Sequence, residues 1–250
     1  MTDNKKNLPA KRDRSGFLDK VRSSRAEAAV SKRETLVKAL ANEKRPRLLF
    51  AMDATASREA AWDVAKKITG AMFQAVPGAL DVALAYHGGG RLKEMTPFSS
   101  DAKVFLDKVQ TVRCQAGMTA LNSVLAEATE ISHLKALIYI GDCFEEDEVE
   151  AIELAEHLKL KGVRCFMFHD SSSGSFGYDI QSARTIFEKI ARLTGGALLP
   201  FDETAPQMVK ALLEAIAVYV VGGMKALEQK TKYLPAARLL LEQMSNKRQN

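Results

Sequence analysis

The chain has 250 residues and a mass of 27.4 kDa, with 46% hydrophobic and 27% charged residues, a balance that excludes a wholly disordered, collagenous or coiled-coil protein. Its three cysteines (Cys114, Cys143 and Cys165) form no C-x-x-C pair, which argues against a disulfide framework or zinc ribbon and for a reducing compartment. The net charge of +5 is uneven: residues 1–47 hold 14 Lys/Arg against 6 Asp/Glu, the remainder 22 against 25, so the basicity belongs to the N-terminal segment.

Residues 1–15 are polar and carry Pro9. They offer too little apolar area to offset the entropy of ordering, and disorder is expected there. From Ser15 onward, Phe17, Leu18 and Val21 share one helical face and Leu36, Val37 and Leu40 another, which predicts an amphipathic helix ending near Asn42. Three uses stay open for it: packing on its own domain, docking a partner or an anionic polymer or surface, or serving as a flexible tail. The organisation read from the chain is a basic extension over 1–45, an α/β domain over 46–228, and a C-terminal helix with a basic tail over 229–250.

After Pro46, apolar runs alternate with amphipathic segments. Residues 47–53 (RLLFAMD) read as a strand buried on both faces, and 58–75 as one helix. Residues 80–86 are a strand, 87–90 (HGGG) a turn, and 91–98 its hairpin partner. A short helix follows at 100–109 and another at 119–131. Residues 135–142 (KALIYIGD) are a central strand, 146–161 a helix, and 162–169 a strand. A Ser/Gly-rich loop spans 171–178 and a helix 180–193, stopped by Gly195-Gly196. An edge strand at 197–201, a long helix at 205–227 and a last helix at 234–244 complete the pattern. The most apolar stretch, Met208 to Met224, is interrupted by Lys210 and Glu214, and a span needs about 20 mostly uncharged residues. It therefore reads as a core helix, with no transmembrane segment. No apolar run follows the basic start as a signal peptide would require, and a cytoplasmic location is expected.

Such alternation predicts a doubly wound, mostly parallel sheet with helices on both faces and one antiparallel hairpin strand. Ligands of such sheets bind outside the carboxyl ends of the strands. The first strand ends in Asp53-Ala54-Thr55-Ala56-Ser57, and residues two apart on an extended segment point the same way. Thr119 follows a Gly117-Met118 turn, and Asp142 closes the central strand. Two carboxylates and three hydroxyls are thus offered to one edge of the sheet. This all-oxygen set suits Mg²⁺ or Mn²⁺ with retained waters.

Asp53-x-Thr55-x-Ser57, then Thr119, then Asp142 resembles the von Willebrand factor type A (VWA) domain and its metal-ion-dependent adhesion site, whose pattern is D-x-S-x-S, a later Thr and a later Asp. The resemblance covers about 46–228. It implies that Thr55 or Ser57 and Thr119 coordinate the ion through oxygen, and that Asp53 and Asp142 act directly or through water. It also implies an open position on the ion that an acidic side chain of a partner protein fills. Intracellular bacterial members often serve as adaptors for ring-forming ATPases, so an ATPase assembly is one partner the resemblance brings in. Two departures are plain: Thr55 replaces the first Ser, and Cys143 stands where a Gly commonly follows the Asp.

Other readings compete. The acidic cluster Glu145, Glu146, Asp147, Glu148 and Glu150 suits a helix N-terminus, with a second cation site as the alternative. Of the four histidines, His169 lies at the ligand edge beside Asp170, and the others read as surface or loop residues. The Ser/Gly loop is either a lid or a connection. D-x-T is shared with phosphatases that form an aspartyl-phosphate, but those need a carboxylate where Thr55 stands. No P-loop, G-x-S-x-G, H-E-x-x-H or nucleotide-binding Gly fingerprint is present, and no enzymatic activity is expected. The two functional readings are therefore an Mg²⁺-dependent adaptor or scaffold, and a metal-independent structural or regulatory subunit that binds through its basic N-terminal helix.

Overall fold

Apolar strands with no polar alternation must be covered on both faces, and the structure, a computed structural model that describes residues 45–171 and 180–245, shows how. Six strands form one sheet: β1 (Arg47–Asp53), β2 (Asp81–Gly88), β3 (Arg91–Met95), β4 (Leu134–Gly141), β5 (Arg164–Asp170) and β6 (Ala197–Phe201). Their order is β3-β2-β1-β4-β5-β6. All neighbours are parallel except the β2–β3 hairpin. The fold class read from the sequence is the observed one.

Eight helices flank the sheet among the described residues: α1 (Glu59–Ile68), α2 (Ala71–Ala75), α3 (Ala102–Thr111), α4 (Leu121–Glu130), α5 (Glu148–Leu160), α6 (Ile180–Thr194), α7 (Pro206–Lys230) and α8 (Pro235–Ser245). The period of two along β1 sorts them into layers. Leu48, Phe50 and Met52 join Trp62, Phe105, Leu212, Ile216 and Leu240 on one face. Leu49 and Ala51 join Leu121, Leu125, Leu158, Phe187 and Ile190 on the other. Each fully buried side chain of this kind stabilises the fold by roughly 1.5–3 kcal/mol before entropy is counted.

Three details depart from the expected elements. The helix expected over 58–75 is two, α1 and α2, separated at Thr69-Gly70. Residues His87 and Gly88 belong to strand β2 rather than to the turn. Helix α7 is kinked at Gly223, where φ is 67° and ψ is −165°. By length and composition α7 could cross a membrane, but here it is a core helix, with Val209, Leu212, Leu213 and Ala215 to Val218 buried.

The end of α6 explains how the edge strand is set. Gly195 N–H donates to Arg192 O and Gly196 N–H to Ala191 O, with φ of 70° at Gly195, a Schellman-type stop. Gly196 then passes so close to β5 that a Cβ there would lie 1.9 Å from Cys165 O. The expectations for residues 1–44 and for the loop at 172–179 lie outside the described residues.

Candidate metal centre at the carboxyl edge of the sheet

β1, β4 and β5 end side by side, each with an aspartate at or just beyond its last residue: Asp53, Asp142 and Asp170. All three are buried. After Asp53 the chain enters a single 3-10 turn, Ala56–Arg58. Thr55 N–H donates to Asp53 Oδ1 (2.7 Å) and Thr55 Oγ1 donates to Asp53 Oδ2 (3.0 Å). Thr55 Oγ1 lies 3.2 Å from Ser57 Oγ, which donates to Asp142 Oδ2 at 3.2 Å. Asp53, Thr55, Ser57 and Asp142 are therefore joined by consecutive oxygen–oxygen contacts of 3.0–3.2 Å: each hydroxyl gives its one proton to a carboxylate, and the two hydroxyl oxygens lie side by side between them. Ser57 is exposed and marks the solvent side of the group.

Thr119 is placed differently. It is buried just ahead of α4, and its hydroxyl donates to Glu146 Oε1 (2.7 Å) and accepts from Glu145 N–H (3.1 Å). Its own N–H donates to Glu145 Oε2 (3.0 Å), and Asn122 N–H donates to Glu146 Oε2 (2.5 Å). Two members of the acidic cluster thus cap the start of α4, whereas Asp147 caps its own helix by accepting Glu150 N–H. No hydrogen bond joins the Thr119 hydroxyl to the other four candidate residues.

His87 packs between Ala120, at the start of α4, and Asp53. Ala120 N–H donates to His87 Nδ1 at 3.0 Å, so the imidazole proton sits on Nε2, 2.9 Å from the Tyr139 hydroxyl. Burial pushes His87 down to about 3, so it is neutral, and its 3.8 Å approach to Asp53 Oδ1 is not an ion pair. The sequence placed His87 on the surface or in a loop; its pairing with Asp53 across β1–β2 instead buries it beneath the site.

Burial, reinforced by the charge of Asp142, pushes Asp53 up to about 7, against the opposing hydrogen bond from Thr55 N–H and the charge of Arg58. Trp62 Nε1–H donates to Asp53 O (2.7 Å) and fixes the strand end. Arg58, which no sequence signal singled out, is fully buried. Its Nη1 lies 2.6 Å from Asp170 Oδ2 and 3.9 Å from Asp142 Oδ2, and its guanidinium stands 5.7 Å from the centre of the Phe201 ring. Burial favours loss of its proton, but Asp142 and Asp170 outweigh that and raise its pKa. Removing one member of such a buried pair typically costs about 3–5 kcal/mol.

Among the described residues no three His, Cys, Asp or Glu side chains cluster as a metal site. A cation here draws on hydroxyls and water beside two carboxylates, and that donor chemistry fits a hard divalent ion. Cys143 is half-buried; burial, with Glu145 and Asp142 adding to it, pushes its thiol up to about 11, so no thiolate stands by at neutral pH. His169 lies under the same edge, its ring edge-on to Phe187 at 5.8 Å.

The surroundings are electrically lopsided. On the β2–β3 side a small cavity of about 160 Å³ is lined by Ala54, Gly88, Lys93, Arg113 and Gln115, among others. On the β4 side lie Glu145 to Glu148. Met118, 55% exposed, stands at the rim between them, its carbonyl accepting Gly90 N–H.

The mostly parallel sheet with one antiparallel hairpin strand is a fold shared with von Willebrand factor type A domains, as structural comparison shows. Compared by sequence, the chain matches no protein-family model and no curated protein. Compared by structure, it is similar to a von Willebrand factor type A protein from Catenulispora acidiphila, with a TM-score of 0.56 at 14% identity over 72% of this chain and 43% of that one. It is similar to proximal thread matrix protein 1 of the mussel byssus, with a TM-score of 0.56 at 14% identity over 69% and 46%. The PilB minor pilin of Streptococcus sanguinis matches with a TM-score of 0.52 at 11% identity over 70% and 62%. The chain spans less than half the length of the first two of these proteins.

Proposed function

We infer that this protein is an interaction module that binds a divalent cation, Mg²⁺ foremost, at Asp53, Thr55, Ser57 and Asp142, and that it captures an acidic side chain of a partner protein there. The observation that carries the reading is the unbroken run of oxygen contacts from Asp53 through Thr55 and Ser57 to Asp142. A bound ion supplies Lewis acidity and an open position for a carboxylate. The protein's own part is to orient the hydroxyls through Asp53, to keep His87 neutral beneath them, and to present Ser57 to solvent. Thr119 belongs to the set through the VWA resemblance, and it reaches the ion once its hydroxyl leaves Glu146. The expected role is that of a cytoplasmic, non-enzymatic adaptor or scaffold, with an ATPase assembly among the partners the resemblance brings in.

Calorimetric titration with Mg²⁺ tests the first half. Titration with short peptides carrying one Asp or Glu, in Mg²⁺ and then in chelator, tests the second. Binding that needs both the ion and the peptide carboxylate is the expected result. Binding indifferent to chelator but lost on deleting residues 1–44 would favour the basic N-terminal segment, to which the chain's excess positive charge belongs.

The lopsided rim sets a further expectation. A partner whose acidic residue sits in an acidic context should lie over Lys93 and Arg113 rather than over Glu145 to Glu148. Reversing both charges with Lys93→Glu and Arg113→Glu should weaken an acidic peptide by about tenfold at low salt and flatten the salt dependence, with Mg²⁺ affinity nearly unchanged. Peptide titrations at two ionic strengths check this.

A further inference from the structure

Resting on the metal reading above, we propose that Arg58 is a resident cation of the site, and that the Arg58–Asp170 pair sets how tightly the site holds a divalent ion. A formal positive charge is built into the ion's own neighbourhood, on the residue next to Ser57. It is fully buried, so it takes no part in contacting a partner. Its Nη1 is 3.9 Å from the same Asp142 Oδ2 that accepts the Ser57 hydroxyl, and 2.6 Å from Asp170 Oδ2. Its Nε and Nη2 have no hydrogen-bond partner among the described residues, so the side chain is held by these carboxylates and the Phe201 ring rather than by a full set of acceptors.

The charges decide the consequence. Among the described residues, Asp53, Asp142 and Asp170 supply three negative charges at this point when ionised, and Arg58 returns one. Asp170 holds the guanidinium in place at hydrogen-bond distance (2.6 Å), while Asp142 feels its charge from 3.9 Å without binding it. Loss of the Asp170 charge turns Arg58 onto Asp142, where it competes with the ion; loss of Arg58 relieves both aspartates and favours the ion. At these separations a charge is worth far more than at an exposed surface. The same pair gives the ion-free site a counter-charge of its own, so folding does not wait for metal.

Four proteins test this by Mg²⁺ calorimetry, each with a thermal midpoint in chelator: the wild type, Asp170→Asn, Arg58→Met and the double variant. Asp170→Asn should weaken Mg²⁺ by about tenfold or more, and Arg58→Met should tighten it by a similar factor. The double variant, which loses one charge of each sign, should return to within about threefold of wild type and should fold, since a buried ion pair replaced as a pair is often tolerated. Arg58→Met should also show a lower midpoint in chelator and a larger rise on adding Mg²⁺. A merely structural pair would lower all the affinities together, and that result, or unchanged affinities, overturns the proposal while leaving the metal site standing. Should Asp170→Asn fail to fold, the sign of the Arg58→Met change decides alone. A wild type that binds no Mg²⁺ overturns the metal reading itself, and this proposal with it.

Discussion

Mg²⁺ affinity should fall by more than about 100-fold when Asp53 or Asp142 is replaced by Asn, because loss of even an outer partner of a metal ligand commonly costs 10–100-fold. The two carboxylates are the only formal charges among the five candidate ligands, so either change removes half of the ligands' own negative charge. Asn preserves the shape and, at position 53, an oxygen for the Thr55 N–H. The effect should therefore appear in calorimetry while circular dichroism remains that of the wild type. Thr119→Ala is the informative companion. The Thr119 hydroxyl is engaged by Glu146 and by Glu145 N–H, so its loss should cost both affinity and the order of the loop before α4. Equal binding by the wild type and the Asp142 variant would remove the basis for the proposed function.

The second large effect concerns the fold. Gly196→Ala should destabilise the protein by about 3 kcal/mol, because the added methyl meets the carbonyl of Cys165 in the sheet rather than a flexible side chain. That corresponds to a fall of about 6–12 °C in the melting temperature. Gly162→Ala is the control. It too closes a helix and has a positive φ of 72°, but nothing lies within 4 Å of its added Cβ. It should cost only the backbone strain, roughly 1–2 kcal/mol. Displacement of β6 in the Gly196 variant also moves Phe201, the ring beside Arg58, so Mg²⁺ affinity should change with stability. Thermal unfolding of both variants with and without the ion checks the two parts together.

Most of the architecture was legible because burial on both faces leaves continuous apolar runs such as RLLFAMD and KALIYIGD, and these are hard to mistake. Four of the candidate ligands come together because three lie within five residues at the end of β1 and the fourth directly follows the neighbouring strand; Ser57 sits on the 3-10 turn rather than on the extended segment its spacing implies. What escaped is what depends on side chains meeting across the sheet. No local pattern marks Arg58; only the adjacency of β1, β4 and β5 places it against Asp142 and Asp170. His87 borders a glycine run and reads as a turn, yet its registry with Asp53 makes it the floor of the site. The acidic cluster reads as charges at the start of its own helix, which holds for Asp147, Glu148 and Glu150. Glu145 and Glu146 act on the neighbouring one, a relation between α4 and α5 that no local pattern contains.

The hairpin at the sheet's margin has a consequence of its own. β3 pairs on one side only and its residues are partly exposed, while the turn joining it to β2 lies at the edge where the aspartates gather. Replacements at Arg91 or Lys93 therefore touch what approaches the aspartates without disturbing the interior beneath them. Selection can retune recognition along this lip while the inner strands, packed on both faces, stay as they are.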